Sequence, residues 1–414
     1  MQQRSFTLAL ALGLSGLCAS AGAQDGIPDG FSIAVDQAWE ISQRQQLGER
    51  RLNAITAGQD ANRGWFAGAP ELSGRYSGDQ VDQNLGRSEV EVEVGVPLWL
   101  SGQQQALDAT LASRYALQQA ALGAEKLELA GLVRERYWEL MLKRNDQQSA
   151  QSRLQAARKI GDDVQRHIDN GILADNDRLL ARAEILSAEA HQLAAQQALY
   201  AAERAYLART GLPQSGHWTV EPLGPPRSIE AHPQLRKALA EVALARAELQ
   251  RTQVEDREHA RLSVALLSER DSRDDPYSNR IQVGFSLPLG RDPRGNSAQA
   301  EASADLLATE VRLQALKRSL ESDIVIALSA LESARLQQQS AQMREQISRQ
   351  RATLEAAAFA AGELGLQGLL LSRNHHNETR QALQQRQIEV ARALSRVNQA
   401  LGYLPGELLA EGIQ

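Results

Sequence analysis

The stretch SEVEVEVGVPL, residues 88–98, decides the fold of this chain. Valine or leucine stands at every even position from 90 to 98, and glutamate stands at positions 89, 91 and 93. Because successive side chains of a β-strand point to opposite faces, this alternation predicts a strand with one apolar and one acidic face. A run of about ten such residues has the length of a transmembrane β-strand. The same pattern also fits a two-faced sheet of a soluble domain, so this strand alone leaves both interpretations open.

Three more stretches alternate in a similar way. Residues 280–289 alternate between apolar and small or polar side chains, residues 261–266 follow the same pattern, and residues 71–78 show the weakest alternation. Together the four stretches predict two hairpins, residues about 70–98 and 260–289, with polar turns. Four strands cannot close a barrel, so a barrel needs several chains, and three chains give twelve strands.

Two long stretches without proline follow the predicted hairpins. They cover residues about 101–170 and 296–361, and shorter helical segments, about 172–210 and 365–401, follow each of them. At 1.5 Å per residue, the two long helices extend roughly 90 to 105 Å. A helix of that length cannot bury itself within one compact domain, so it requires neighbours of equal length in a bundle or a tube. Coiled-coil spacing of seven, four and seven residues occurs at Leu122, Leu129, Val133 and Leu140.

The chain contains two copies of one pattern. Three anchor residues recur 191 positions later in the sequence. They are Pro97, Gly171 and Gly211, repeated as Pro288, Gly362 and Gly402. The coiled-coil positions of the first long helix also have apolar counterparts at this offset. We therefore divide the mature chain into a first repeat, residues 24–215, and a second repeat, residues 216–414.

Residues 1–23 are predicted to be an export signal peptide. Arg4 provides a positive start, an apolar stretch extends to Leu17, and residues 21–23 form an A-x-A cleavage site. That stretch is too short to span a bilayer as a helix, so cleavage is expected. Cys18 suggests lipidation as an alternative, which is disfavoured because Leu17 stands where a lipoprotein signal requires a small residue.

Composition and motifs exclude several classes of function. The aromatic content is 4% and the formal net charge is −6, in a sequence dominated by Ala, Leu, Gln, Glu and Arg. This mixture is typical of coiled coils and lacks the basic character of a nucleic-acid-binding protein. No nucleophile elbow, phosphate-binding loop or H-E-x-x-H motif occurs, and the adjacent His375 and His376 would point about 100° apart on a helix. We predict no enzymatic activity, cofactor, metal site or nucleic-acid partner.

Two segments resemble the TolC-like outer-membrane efflux proteins. They are the strand-to-helix passage VGVPLWLSG, residues 94–102, and the helix turn GILADNDRLLARA, residues 171–183, which residues 362–372 duplicate. The similarity extends over essentially the whole mature chain. The short chain and the segment APELS, residues 69–73, most resemble the outer-membrane component of cobalt-zinc-cadmium type heavy-metal RND efflux systems.

The resemblance implies a mainly α fold with a small β part. In that family, three chains form a homotrimer with a long α-helical periplasmic barrel of coiled coils and a shared 12-stranded transmembrane β-barrel, four strands per chain. The trimer lies in the outer-membrane lipid of a Gram-negative bacterium. It works with a periplasmic membrane-fusion adaptor and an inner-membrane RND-type pump. Heavy-metal cations are the expected cargo, with drug efflux or type I protein secretion as alternatives. The alternative of another class is a periplasmic coiled-coil scaffold without a pore.

The resemblance also implies that the helix turns form the periplasmic tip that docks the adaptor. The candidate residues are Gly171, Ile172, Leu173 and Asp177 in the first turn, and Gly362 and Leu364 in the second. A turn glycine permits a tight reversal, and an exposed apolar pair at a tip favours a partner. The alternative is that Ile172 and Leu173 cap the helical bundle.

Two carboxylates of the first turn are candidates for a ring that narrows the aperture. These are Asp175 and Asp177, for which helix capping is the alternative role. The best-known member of the family carries its acids elsewhere, at positions that correspond here to Gly368 and Leu371. Leu364 stands where that protein has an arginine that ties neighbouring subunits together, so closure of the tip must depend on other contacts.

The barrel lumen is predicted to be lined by the polar faces of the strands. The candidate residues are Glu89, Glu91, Glu93, Gln282 and Ser286. A ring of carboxylates raises the local concentration of cations and would favour cationic cargo. The alternative is that these residues are polar only because any barrel interior is polar.

Overall fold

The computed structural model describes most of the chain. The described residues are 30–81, 84–171, 173–213, 220–255, 257–289 and 295–408. The predicted signal peptide, Cys18 and Ile172 lie outside them. None of the described helices combines the length and the apolar character needed to cross a bilayer.

Seven α-helices and four strands make up the described part of the chain. In order they are α1 Gly30–Ile41, α2 Arg44–Asn62, β1 Glu71–Gly78, β2 Ser88–Leu98, α3 Gln103–Asp169, α4 Asp175–Thr210, α5 Pro233–Val254, β3 Ala260–Arg270, β4 Ser278–Ser286, α6 Gly295–Ala360 and α7 Leu366–Ala400. A short 3-10 turn, Ile229–Ala231, precedes α5. Two strands, one long helix and one shorter helix thus follow one another twice.

Two boundaries differ from those predicted. The sequence pattern predicts a first helical segment over residues 35 to about 57, whereas the structure has two helices there that meet at Gln43, whose φ of 54° is left-handed. Strand β4 ends at Ser286, three residues before the predicted end at Leu289. Ser286 already pairs with Arg261, the second residue of β3, so little of β3 remains as a partner. Pro288 also has no N–H to donate to a sheet.

The long helix α3 lies at the centre of the helical part. Near the sheet it contacts α2 and α5. In the contact with α2, Asn62 Nδ2 donates to the carbonyl of Gln104. Farther along it contacts α4, where Arg153 pairs with Glu184, and α7. Helix α6 contacts α5 and then α7. The lateral order is therefore α2-α3-α5-α6 near the sheet and α4-α3-α7-α6 toward the helix turns.

The main hydrophobic core lies where α1, α3, α4 and α7 meet. Aromatic rings fill its centre, and Phe31 packs edge-on against Tyr137 with ring centroids 4.5 Å apart. Aliphatic side chains of α3, among them Val133 and Leu140, are fully buried around these rings. Burial of such side chains contributes about 1.5–3 kcal/mol each and fixes the short N-terminal helix against the long ones.

A buried ion pair joins the two repeats. Arg134 of α3 and Glu221, in the segment that connects α4 to α5, expose only 3% and 0% of their side chains and lie 2.8 Å apart. Arg134 Nη1 also donates to Gln399 Oε1 at 2.7 Å and to the carbonyl of Tyr403 at 3.0 Å. The guanidinium thereby binds the first repeat, the connecting segment and the end of α7 together.

We expect Glu221→Gln to destabilise the protein strongly, because it leaves a buried guanidinium without its counter-ion. The loss should be about 3–5 kcal/mol. The matched control is Glu139→Gln, which breaks the half-exposed pair of Glu139 with Arg136 in α3 and should cost at most about 1 kcal/mol. Denaturant unfolding followed by helical circular dichroism in detergent measures both. Similar losses in the two variants would contradict the assigned role of the buried pair.

Candidate functional site

The four strands form one continuous antiparallel sheet in the order β1-β2-β3-β4. The central pair joins β2 of the first hairpin to β3 of the second, with Val94 opposite Val264. One row across the sheet contains Ser73, Glu93, Ala265 and Gln282. Because paired residues of neighbouring strands share a face, this register assigns every strand residue to one of two faces.

One face of the sheet is polar and carries all five predicted lumen residues. The pairing places Glu89, Glu91, Glu93, Gln282 and Ser286 on that face. The structure therefore brings together residues of β2 and β4 that are nearly 200 positions apart in the sequence. Their assignment to a lumen remains a prediction.

Arginines on the same face partly neutralise the glutamates, which the sequence analysis did not anticipate. Arg261 donates to Glu71 at 2.8 Å and to Glu93 at 3.3 Å. Arg75 pairs with Glu91 at 3.3 Å, and Arg280 pairs with Glu269. Alternation within one strand cannot reveal these partners, since they depend on the register between strands.

The opposite face of the sheet is apolar, and no part of the described chain covers it. The β4 residues Ile281, Val283 and Phe285 are 63% to 77% exposed. Further exposed residues on this face are Leu72, Val90, Val92, Val94, Leu262, Val264 and Leu266. Monomeric soluble proteins rarely expose a contiguous apolar patch of this extent. The outer edges of β1 and β4 also lack a partner strand within the described residues.

Aromatic side chains lie at both ends of the apolar face. At the end near the helices, Phe66 pairs with Leu98, and its neighbour Trp65 is 91% exposed. At the far end Tyr76 lies opposite Val90, and Tyr277 contacts Ser88 through its hydroxyl at 3.2 Å. The two ends are eight residues of β2 apart, about 27 Å along the strand.

The two helix turns lie at the opposite end of the long helices from the sheet. Gly171 and Gly362 have φ values of 74° and 77°, in the left-handed region that glycine adopts without strain. Their N–H groups donate to the carbonyls of Ile168 and Phe359, which closes each helix end. A Cβ at either glycine would meet no atom within 4 Å, so only the backbone conformation requires glycine there.

The predicted docking leucines are only partly accessible. Leu173 is half-buried and packs against an apolar cluster that includes Ile160, Val164 and Leu366. Leu364 is also half-buried. This packing favours the role of a bundle cap for Leu173, and docking of a partner at these residues remains a prediction. Ile172 lies outside the described residues.

The two candidate aperture carboxylates both make contacts at the start of α4. Asp177 Oδ2 accepts a hydrogen bond from the N–H of Ala174 at 3.2 Å, which secures the first turn of the helix. Asp175 pairs with Arg178 one turn farther along. Negative charge is favourable at a helix N-terminus, so these contacts support the capping role. The narrowing of an aperture by these residues remains a prediction.

The two adjacent histidines lie in different surroundings. His375 is exposed, whereas His376 faces α6 and lies with its Nδ1 3.4 Å from Ser348 Oγ. Burial lowers the pKa of His376 below its usual range. Within the described residues, no group of three or more His, Cys, Asp or Glu side chains is placed to hold a metal ion.

Comparison with known proteins identifies the fold of this chain through solved structures. No family model matches the chain, and no curated protein sequence matches it. Solved structures with a similar backbone include the outer membrane protein VceC from Vibrio cholerae, with 14% identity, a TM-score of 0.73 and coverage of 90% of this chain and 96% of VceC. The protein shares the fold of outer-membrane channels.

Two further solved structures support this fold. The outer membrane channel CmeC from Campylobacter jejuni is 16% identical, with a TM-score of 0.68 and coverage of 92% of this chain and 88% of CmeC. The open state of the outer membrane channel MtrE from Neisseria gonorrhoeae is 17% identical, with a TM-score of 0.70 and coverage of 90% and 88%. The mainly α fold with a small four-stranded sheet, predicted from the sequence, is confirmed.

We expect Gly171→Ala to destabilise the helix turn by about 1–2 kcal/mol, since alanine is strained in the left-handed region. Gly171→Asn should cost less, because asparagine adopts that region more readily. The matched control is Gly123→Ala in the interior of α3, where a Cβ also meets no atom within 4 Å and should instead stabilise by about 0.5–1 kcal/mol. Thermal unfolding midpoints of the three variants test this order, and a stabilising Gly171→Ala would refute it.

Proposed function

We propose that the protein is one subunit of an outer-membrane channel of a tripartite efflux system in a Gram-negative bacterium. The observation that carries the proposal is the sheet, which is polar on one face, apolar on the other and open at both edges. Water would be a poor solvent for the exposed apolar face, whereas the hydrocarbon of a bilayer covers it. The shared fold with outer-membrane channels supports the same function.

The open edges support a barrel formed by three copies. Because the four strands alternate in direction, β4 of one copy and β1 of the next can pair antiparallel. Two copies would give eight strands, whose interior side chains fill the barrel, whereas three give twelve and leave a passage. A closed barrel also removes unpaired edges, which lipid cannot hydrogen-bond. We therefore propose a homotrimer.

The dimensions of the apolar face suit an outer membrane. Barrels in that membrane carry an apolar band about 25 Å tall with aromatic girdles at both borders. The distance of about 27 Å between the two aromatic ends of this face, measured along strands tilted by about 40°, corresponds to a height of roughly 20 Å, which is comparable with such a band. Trp65 and Phe66 then lie at the periplasmic border, and Tyr76 and Tyr277 at the external one.

The polar face and the long helices would together form the path for the cargo. The helix α3 has 67 residues and extends the path about 100 Å into the periplasm. At its far end the turns with Gly171, Leu173, Asp177, Gly362 and Leu364 would meet a periplasmic adaptor. An inner-membrane RND-type pump would supply the energy, since no residue pattern here indicates catalysis.

A pair of neighbouring substitutions in β4 tests the barrel. Val283 lies on the apolar face in the same row as Val94 and Val264, and Gln282 lies on the polar face. We expect Val283→Lys to impair insertion, because a lysine near the middle of the bilayer costs about 2–4 kcal/mol on the lipid face of a barrel. Gln282→Lys should insert normally and conduct.

The measurement is ion conductance in planar bilayers, together with the oligomeric mass in detergent. The unmodified protein should be a trimer and conduct in discrete steps. A monomeric protein without conductance would refute the channel. Equal behaviour of the two lysine variants would refute the assignment of the faces.

Heavy-metal cations are the cargo we propose. Five carboxylates and three guanidiniums share the polar face, which leaves a net charge of −2 per chain. The carboxylates are Glu71, Glu89, Glu91, Glu93 and Glu269, and the guanidiniums are Arg75, Arg261 and Arg280. An excess of negative charge on a lining attracts cations. Drug efflux and type I protein secretion are the competing cargo classes.

Growth of a deletion strain identifies the cargo. We expect selective loss of tolerance to a group of metals among zinc, cobalt, cadmium, copper and silver salts, restored by the intact gene. The gene with Val283→Lys serves as the control that produces the chain without a working barrel. Loss of tolerance to drugs and detergents with unchanged metal tolerance would exclude the metal proposal and retain the channel.

A further inference from the structure

A groove lies between α3, α6 and α7 near the second helix turn. Its volume is about 320 Å³. Alanines line it from two helices, Ala156 of α3 and Ala352 and Ala356 of α6. Because an alanine side chain ends at its Cβ, these positions leave the space between the helices open. We call this space the α6–α7 groove.

Two arginines line the α6–α7 groove from different helices. Arg349 belongs to α6 and is exposed, and Arg373 belongs to α7 and is half-buried. Neither guanidinium has a hydrogen-bond or ion-pair partner among the described residues. In contrast, Arg351, two positions beyond Arg349, pairs with Glu355 at 2.7 Å. Two positive charges therefore lie beside one groove without a counter-ion from the described chain.

The charges near His376 show the same excess. Burial lowers the pKa of His376, the Glu345 carboxylate raises it, and three guanidiniums lower it further. These guanidiniums belong to Arg349, Arg373 and Arg380. Three positive charges and one negative charge thus act on one ring, and such a surplus favours an anion.

The rest of the polar lining can also donate hydrogen bonds. His376 and Asn377 of α7 line the groove beside Arg373, and the lining contains no carboxylate. The side-chain amide of Asn377 has no hydrogen-bond partner among the described residues. An amide offers two N–H groups and a guanidinium offers five. Donors from α6 and α7 therefore border the same space.

A phosphate group suits this lining better than a carboxylate does. Its oxygens point in tetrahedral directions, and as a monoester it carries a charge of about −1.5 to −2 at pH 7. A carboxylate is planar and carries a single charge. Arginine binds phosphate through two parallel N–H···O bonds. Donors that come from two helices thus match an anion whose oxygens point to more than one side.

The position of the groove keeps it open to solvent in a ring of subunits. Helices α3 and α7 are the inner helices of the order α4-α3-α7-α6, and the groove lies where α7 meets α3 and α6. Closure of the proposed ring uses the outer flanks of this order. Neighbouring subunits would therefore leave the groove accessible to a small anion.

We propose that the α6–α7 groove binds a phosphate-type oxyanion, which Arg349 and Arg373 hold from two helices. The bound anion would offset the repulsion between the two guanidiniums and tie α6 to α7 near their turn. This inference goes beyond the proposed channel and does not depend on it.

Calorimetric titration of the full chain in detergent with inorganic phosphate, at constant ionic strength, tests the site. We expect one phosphate per chain. Arg349→Ala and Arg373→Ala should each weaken binding about ten-fold or more, because each removes a charge-assisted hydrogen bond. Phosphate should also raise the thermal unfolding midpoint of the unmodified protein and leave that of the double variant unchanged, since a ligand stabilises only a state that binds it.

The matched control is Arg344→Ala. Arg344 lies five residues before Arg349 on the same helix and is exposed, but it lines a different groove, beside His375. The control removes the same charge and should bind phosphate with unchanged affinity. Arg349→Lys, which keeps the charge and loses the bidentate geometry, should bind with intermediate affinity.

Several results would overturn the site. An equal loss of affinity in Arg344→Ala and Arg349→Ala would indicate general attraction to a positive surface. Acetate that binds as tightly as phosphate would refute the assignment to phosphate. A conducting trimer that binds no phosphate would overturn the site and retain the channel, whereas a protein that binds phosphate and does not conduct would retain the site alone.

Competition with glycerol phosphate identifies the source of the anion. If glycerol phosphate displaces inorganic phosphate, the groove accepts esterified phosphate, as in a lipid headgroup. If it does not, the groove takes the free ion. Either result supports an oxyanion site at Arg349 and Arg373.

Discussion

The constraint on which the rest of the structure depends is a sheet that one chain cannot complete. Within the described residues it has two unpaired edges and one uncovered apolar face. The face is costly in water, whereas the edges are costly in lipid, where no water satisfies the backbone. In the proposed channel, closure with further copies would remove the edges, and a bilayer would cover the face. Because α3 follows β2 and α6 follows β4, the proposed barrel would have both long helices on one side, and the helical part would extend the same ring.

Each of the two repeats contributes one hairpin to the sheet, and the repeats have diverged where they meet. Gly171 and Gly362 adopt the same left-handed conformation at equivalent positions, which retains the common plan. Arg134, however, corresponds to Val325 at the offset of 191 residues, and Val325 is exposed on α6. The buried ion pair with Glu221 therefore belongs only to the junction of the repeats, where the segment that connects α4 to α5 needs an anchor. At the equivalent place α6 presents an apolar surface instead.

Sequence patterns predicted those features whose information is local. The alternation in residues 88–98 predicted both ends of β2 correctly. The absence of proline predicted the positions of α3 and α6. The end of β4 depended on where β3 begins, which no pattern within β4 reveals. The charge partners of Glu91 and Glu93 depended on the register between strands, and the Arg134–Glu221 pair joins residues 87 positions apart. The capping alternative for Asp177 needed only local information, because the start of a helix leaves N–H groups without intrahelical partners.

The charge pattern of the polar face limits how selective the proposed channel would be. The glutamates of β2, considered by themselves, suggest a cation filter. However, Glu91 and Glu93 each have a guanidinium within 3.3 Å, and this positive charge cancels most of the electric field of the carboxylate at a distance. What remains is a small net negative charge, and salt screens it within about 8 Å of the wall. In a twelve-stranded barrel such a lining biases ions near the wall and rejects little in the centre. Strict choice of cargo would then lie with the pump and the adaptor, and this chain would supply a passage common to whatever they deliver.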